Sequence, residues 1–310
     1  MSETHYKSEL ENVSGKKDRY EFQDPNKQVV HKAADMGINT FYQTCAGGLG
    51  LIIQFLLPND YKCKRSIADI DEDKINLYTC IHDNYYELMN VLKCFIAFVS
   101  SLSWVSLESR YESSAKQIVD KATAHLTASG YSPSIVKAAI TFFNLIHNQR
   151  ATNSTIKERI DELKKKLPFI AELSNILEGV EIEQNDLNEV IKKYSRRRKC
   201  ILFIDPPYLL TNGNYAVNES EFEFHLGLAD LLHSCSCKFV LYCRVTASKF
   251  SGKNDDKRLI DDVLFAFYNN HYSGKGYYFC DVELKHGDNV TVERMITNLD
   301  MSGEKGWIAY

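Results

Sequence analysis

The chain has 310 residues, 44% hydrophobic and 25% charged, with a formal net charge of −4 at pH 7. That length suits one large domain or two modest ones, and the composition is that of an ordinary soluble globular protein. The overall charge argues against a uniformly basic nucleic-acid binder, and the polar N-terminal stretch has no apolar signal-peptide core.

The most apolar segment, residues 91–107, contains Lys93 and several serines and is shorter than a comfortable membrane span. It is expected to be a buried helix, and the protein to be cytoplasmic with no membrane partner. The nine cysteines (45, 63, 80, 94, 200, 235, 237, 243 and 280) form an odd set with no C-x-x-C pair. They are expected to be reduced core thiols. The histidines are scattered, with no H-x-x-x-H, so no metal is expected.

In chain order, strand-like runs rich in Ile, Val, Phe and Tyr occur at 38–45, 65–70, 180–185, 200–205, 238–245, 276–284 and 290–298. Several are apolar on both faces, as strands of a parallel sheet are. The last two are joined by the short link "KHGDN", which suits an antiparallel hairpin. A helical pattern covering 71–92 follows the second run and another, 220–234, follows the fourth. Strand–helix alternation predicts an open α/β sheet. Residues 85–178 break the rhythm with helical patterns at 111–126, 133–149 and 154–177, and Pro133 sits where a first helical turn tolerates it. The expected organisation is an α/β domain from 1–84 and 179–310 with a helical insert, 85–178, between its halves.

The first run ends in "QTCAGGLG", where Gly47, Gly48 and Gly50 predict a tight turn before a helix. In an α/β sheet such a turn brings a nucleotide-like cofactor against the backbone; close packing is the plainer alternative. No Gly-Lys-Ser/Thr follows, so a P-loop is excluded. The second run ends at Asp69, which either accepts hydrogen bonds from a ribose or caps the next helix; Asp71 is the better cap.

Basic clusters occur at 62–65, 164–166 and 192–199. Each alone reads as a solvated face, and together they would make a phosphate-binding surface. Then "CILFIDPPY" (200–208) ends a buried strand on Asp205, Pro206, Pro207 and Tyr208. An amine conjugated to an aromatic ring is a poor nucleophile. The Asp205 carboxylate and the Pro206 carbonyl can each accept one of its N–H bonds, drawing the nitrogen towards tetrahedral geometry. Tyr208 would stack on the ring, and the prolines limit backbone freedom in advance.

With "CAGGLG", "IADIDEDKINLYTCIHDNYYEL", "AAITFFNLI", "ILEGVEIEQNDLNEVI", "LFIDPPY" and "ERMITN" in this order, the chain resembles the Dam-like (alpha-group) N6-adenine-specific DNA methyltransferases. The resemblance spans most of the chain. It implies a seven-stranded Rossmann-like sheet with a C-terminal antiparallel hairpin, and a helical insert that recognises the DNA target. It implies methyl transfer from S-adenosyl-L-methionine to N6 of an adenine flipped out of double-stranded DNA. Catalysis would fall to Asp205, Pro206, Pro207 and Tyr208. The cofactor would meet Lys16, Cys45, Ala46, Gly47, Gly48, Asp69, Asp186, Leu187 and Asp205, with Asp186 and Leu187 at its adenine.

DNA would meet Tyr215, Arg150, Arg196 and Arg197, and no metal is required. A cognate restriction nuclease is a further partner of such enzymes. The chain departs from the family pattern in Gln43, Thr44 and Cys45, where Glu-Pro-Phe is usual, and in Leu49, where a glycine is usual. Two other readings stay open on sequence. One is an amine methyltransferase acting on RNA or protein; the other is a non-catalytic DNA-binding relative with an altered cofactor loop.

Overall fold

A computed structural model of the chain describes residues 20–47, 61–102, 112–147, 155–209, 221–246, 254–286 and 289–310. Helix α1 (Tyr20–Asp35) leads into β1 (Thr40–Thr44), and β2 (Lys64–Asp69) follows. Helices α2 (Glu72–Asp83), α3 (Tyr85–Ser100), α4 (Glu112–Ala128), α5 (Pro133–His147) and α6 (Ile156–Leu177) come next. Then come β3 (Val180–Gln184), α7 (Leu187–Tyr194), β4 (Cys200–Ile204), α8 (Glu221–His233), β5 (Lys238–Arg244) and α9 (Asn254–Tyr272). Strands β6 (Tyr278–His286), β7 (Asn289–Thr297) and β8 (Ile308–Ala309) end the chain.

All seven predicted runs are strands, and the fold is the expected mixed α/β, Rossmann-like type. The two-residue β8 makes eight strands among the described residues where seven were expected. Helices α1, α7 and α9 lie outside the predicted set. The helix predicted across 71–92 is two helices: Asn84 leaves helical geometry at φ −129° while its N–H closes α2 on the Cys80 carbonyl.

These residues form two compact units. One takes in Gly47 and residues 69–184; the other takes in 20–46, 61–68 and 185–310. The second holds strands in the order β2-β1-β4-β5-β7-β6-β8. Strands β2, β1, β4 and β5 run parallel, whereas β7 pairs antiparallel with both β5 and β6. Every residue of β4 is buried, which is why it reads as an unbroken apolar run.

Period-2 alternation sorts its side chains into two cores. Ile201 and Phe203 join Phe41, Val240 and Tyr242 against Phe22, Val29, Val30 and Ala33 of α1. Cys200, Leu202 and Ile204 join Tyr42, Leu241 and Cys243 against residues of α7, α8 and α9. Each fully buried large apolar side chain contributes about 1.5–3 kcal/mol, so a one-residue slip of β4 would exchange both cores at once.

The first unit is mostly helical. Helix α3 buries Leu88, Val91, Leu92, Phe95, Ile96 and Val99, the 3–4 spacing of one helix face. Phe95 meets Phe143 of α5 with ring centroids 5.1 Å apart. Helix α6 starts on a capping box: the Thr155 hydroxyl accepts from the Glu158 N–H and the Glu158 carboxylate accepts from the Thr155 N–H. No described helix is long and apolar enough to cross a membrane. All nine cysteines are free thiols, five of them buried.

Candidate active site

The parallel register sets Thr44, the last residue of β1, beside Ile204, the last of β4. The Thr44 hydroxyl donates to the Phe203 carbonyl at 3.1 Å, which ties the two strand ends together. The turns after both strands therefore start side by side at the carboxyl end of the sheet, where open α/β folds bind ligands. After β1 the chain reverses through Cys45, which holds φ +52°, a left-handed conformation costly for a residue with a Cβ. The Ala46 N–H donates to the Ala68 carbonyl at 2.9 Å, and the buried Gln43 amide reaches the Ala46 carbonyl at 3.4 Å. Gln43 and Thr44 thus have definite structural work where the family pattern has other residues.

After β4 comes the half-buried Asp205, then the buried Pro206, then Pro207 and Tyr208. The Tyr208 hydroxyl donates to Oε2 of Glu293 at 2.7 Å, and Oε1 of the same carboxylate accepts from Nη2 of Arg244 at 3.2 Å. Arg244 and Glu293 are direct partners across β5 and β7. The Arg244 guanidinium also lies over the Tyr208 ring, 4.7 Å from its centroid, and its buried Nε has no hydrogen-bond partner among the described residues. Burial first, then the charges of Asp205 and Glu293, hold the Tyr208 hydroxyl well above the usual phenol range, so it stays a donor. Burial and Asp205 act likewise on Tyr242, whose hydroxyl donates to Asn26 at 2.6 Å.

On the other side of the turn stands His225 of α8, 2% exposed. Its Nε2 lies 2.9 Å from the Pro207 carbonyl and its Nδ1 lies 3.4 Å from the Tyr268 hydroxyl. Burial pushes its pKa down to about 4, with the Pro207 carbonyl opposing, so the ring is neutral at pH 7.

In the first unit, Asp69 is not a helix cap. Its Oδ2 accepts from the Gly47 N–H at 2.9 Å and its Oδ1 from the Asp71 N–H at 3.0 Å. Asp71 is the N-cap of α2, accepting from the N–H groups of Asp73 and Lys74. The buried Tyr78 hydroxyl donates to the Gly47 carbonyl, so Gly47 is held through both its backbone groups. Burial, then Asp69 and Asp71, raise the Tyr78 pKa well above the ordinary value.

Of the other expected residues, Asp186 caps α7 by accepting from the Asn188 N–H at 2.8 Å, and Leu187 beside it is buried. Arg196 and Arg197 are exposed on the link into β4, at its amino end. Asp205 follows the carboxyl end of that strand, so the fold does not bring these arginines to the Asp-Pro-Pro-Tyr turn. Arg197 stacks on Tyr194 at 4.7 Å. The lysines at 164–166 pair with Asp161 and Glu162 along α6, a face whose charge is largely offset. Lys16, Gly48, Arg150 and Tyr215 lie outside the described residues.

Sequence reasoning missed Glu293, Arg244, His225 and Tyr78. A signal existed for the first two: each is a charged residue in an apolar strand run, the pattern that singled out Asp205.

No curated protein matches the chain. The family model described as D12 class N6 adenine-specific DNA methyltransferase matches residues 37–278. That span holds both turns at the carboxyl end of the sheet and every element from β1 to the start of β6. With the matched segment covering most of its length and the α/β sheet in place, the chain belongs to the D12 class N6 adenine-specific DNA methyltransferase family.

Proposed function

We propose that this adenine methyltransferase transfers the methyl group of S-adenosyl-L-methionine to N6 of an adenine flipped out of double-stranded DNA at a specific sequence. The observation that carries this reading is the Asp-Pro-Pro-Tyr turn directly after β4, with Tyr208 fixed from two sides by Glu293 and Arg244. Asp205 and the Pro206 carbonyl accept the two N–H bonds of the adenine amine. That pulls the nitrogen lone pair out of conjugation and aims it. Tyr208 stacks on the base. Because its hydroxyl and ring are already held, stacking costs little ordering entropy. The proton lost from nitrogen passes to solvent after transfer.

The residues present suit the cofactor. A carboxylate offers about four acceptor positions, and backbone N–H groups fill two of those on Asp69, so its oxygens can still take ribose hydroxyls. Gly47 presents backbone without a side chain beside it. Ala46 and Cys45 complete the turn, and Asp186 and Leu187 at the start of α7 would receive the adenine end. When bound, S-adenosyl-L-methionine supplies a methyl group activated by a positively charged sulfur. We assign target-sequence recognition to the helices of the first unit.

The test is to incubate the protein with S-adenosyl-L-methionine and duplex DNA free of adenine methylation, then measure N6-methyladenine by mass spectrometry. Wild-type protein should produce it, and Asp205→Ala should lose at least about 10²-fold in rate. Asp69→Ala should weaken cofactor binding about tenfold by calorimetry, the loss of one or two hydrogen bonds. A folded wild type that binds cofactor and DNA yet forms no N6-methyladenine would sink the reading.

A further inference from the structure

The freedom left in Asp-Pro-Pro-Tyr can be counted. Both proline rings fix their own φ near −65°. Asp205 and Pro206 each precede a proline, so their ψ angles are confined to the extended region. The soft torsion upstream of Tyr208 is then ψ of Pro207, which turns the Pro207–Tyr208 peptide plane and carries the tyrosine ring with it. The carbonyl of that plane is the group facing His225 Nε2 at 2.9 Å.

A carbonyl only accepts, so Nε2 must carry the proton. Nδ1 is then the acceptor, and the Tyr268 hydroxyl at 3.4 Å is its donor. Tyr268 is fully buried, and its ring packs edge-on to His225 with centroids 6.1 Å apart. Phe224 and Phe267 also meet the imidazole edge-on, at 5.2 and 6.3 Å. Aromatic rings on α8 and α9 therefore hold the histidine in place.

We propose that His225 is a positioning residue for methyl transfer: its Nε2–H pins the Pro207 carbonyl, and with it the peptide plane that aims Tyr208. The proposal rests on the reading of this turn as the base-holding element. His225 touches neither base nor cofactor. It holds ψ of Pro207, which the prolines leave free, and Glu293 fixes the tyrosine from the other end.

The test compares wild type with His225→Gln, whose amide nitrogen can reach the position of Nε2, and His225→Leu, which has no donor. Hydrogen exchange at the Tyr208 and Leu209 amides reports the turn without any need for catalysis, and the amides of α8 report folding. His225→Leu should speed exchange at the turn about tenfold or more while α8 stays protected, and His225→Gln should restore it. In single-turnover methyl transfer, His225→Leu should lose about 10²-fold in rate with the KM values for DNA and cofactor unchanged, and His225→Gln should recover most of the loss. If His225→Leu does not fold, His225→Asn, one carbon too short to reach the carbonyl, takes its place.

Unchanged exchange at the turn in His225→Leu overturns the proposal whether or not the wild type is active. Equal losses in the Leu and Gln variants overturn it too, because packing alone would explain them. An inactive wild type whose turn loosens in His225→Leu would instead refute the functional reading and leave the positioning role standing.

Discussion

At the scale of single residues, two buried polar groups matter more than their number suggests. Glu293 is 4% exposed and each of its oxygens has a charged or hydroxyl donor. Such a group is tolerated only because its partners are supplied. Tyr208→Phe keeps the ring but removes the hydroxyl that donates to Oε2 of this buried carboxylate. The expected cost is about 1–3 kcal/mol in urea unfolding, with base stacking largely preserved. A variant as stable as wild type would mean that the hydroxyl does not hold Glu293. Asp69 is a comparable case. Sequence left its two readings even, and the structure gives it a third task, fastening the backbone of Gly47 to the end of β2.

At the scale of elements, termini decide the local geometry. Helix α6 carries Pro168 within it, which removes one backbone hydrogen bond and crowds the preceding turn. The capping box at its start secures its first turn. Thr155→Ala should destabilise the first unit by about 1 kcal/mol, and Thr155→Asp, which keeps an acceptor, by much less. Chemical unfolding followed by circular dichroism would read the difference; equal losses would show that the cap contributes nothing here. In the other unit, Arg294 plays the locking part. It is 1% exposed, binds Asp281 bidentately at 2.6 and 2.8 Å, and reaches Asn269 of α9 at 2.6 Å. Its guanidinium lies over both Phe265 and Phe279. It joins the β6–β7 hairpin to α9, the helix that also carries Tyr268.

For the whole molecule, His225 links stability to pH. Its folded pKa of about 4 lies below the ordinary 6.5, so the unfolded chain binds the proton more readily. The stability this neutral ring contributes is complete above about pH 6.5 and is lost as pH falls towards 4. The loss amounts to about 3 kcal/mol. Urea unfolding at pH 7, 6 and 5 should show wild type weakening faster than His225→Gln over that range. Parallel slopes for the two proteins would contradict the assignment. Because the same ring holds the Pro207 carbonyl, its protonation would also remove the acceptor that Tyr268 donates to.

Much of this protein is written locally. The seven strand runs, the glycine turn at Gly47 and the Asp-Pro-Pro-Tyr stop after β4 are legible because hydrophobic period and turn chemistry are properties of neighbours in the chain. Asp71 as a cap follows for the same reason. What the sequence could not determine is which distant groups meet. Arg196 and Arg197 look like DNA contacts by charge alone, yet strand direction puts them at the opposite end of β4 from Asp205. Glu293 and His225, 85 and 17 positions beyond Tyr208, become its supports only when the β5–β7 pairing and the packing of α8 carry them to one turn. Local chemistry sets the elements, whereas contacts across the sheet depend on register and burial, which are decided only when the whole chain closes.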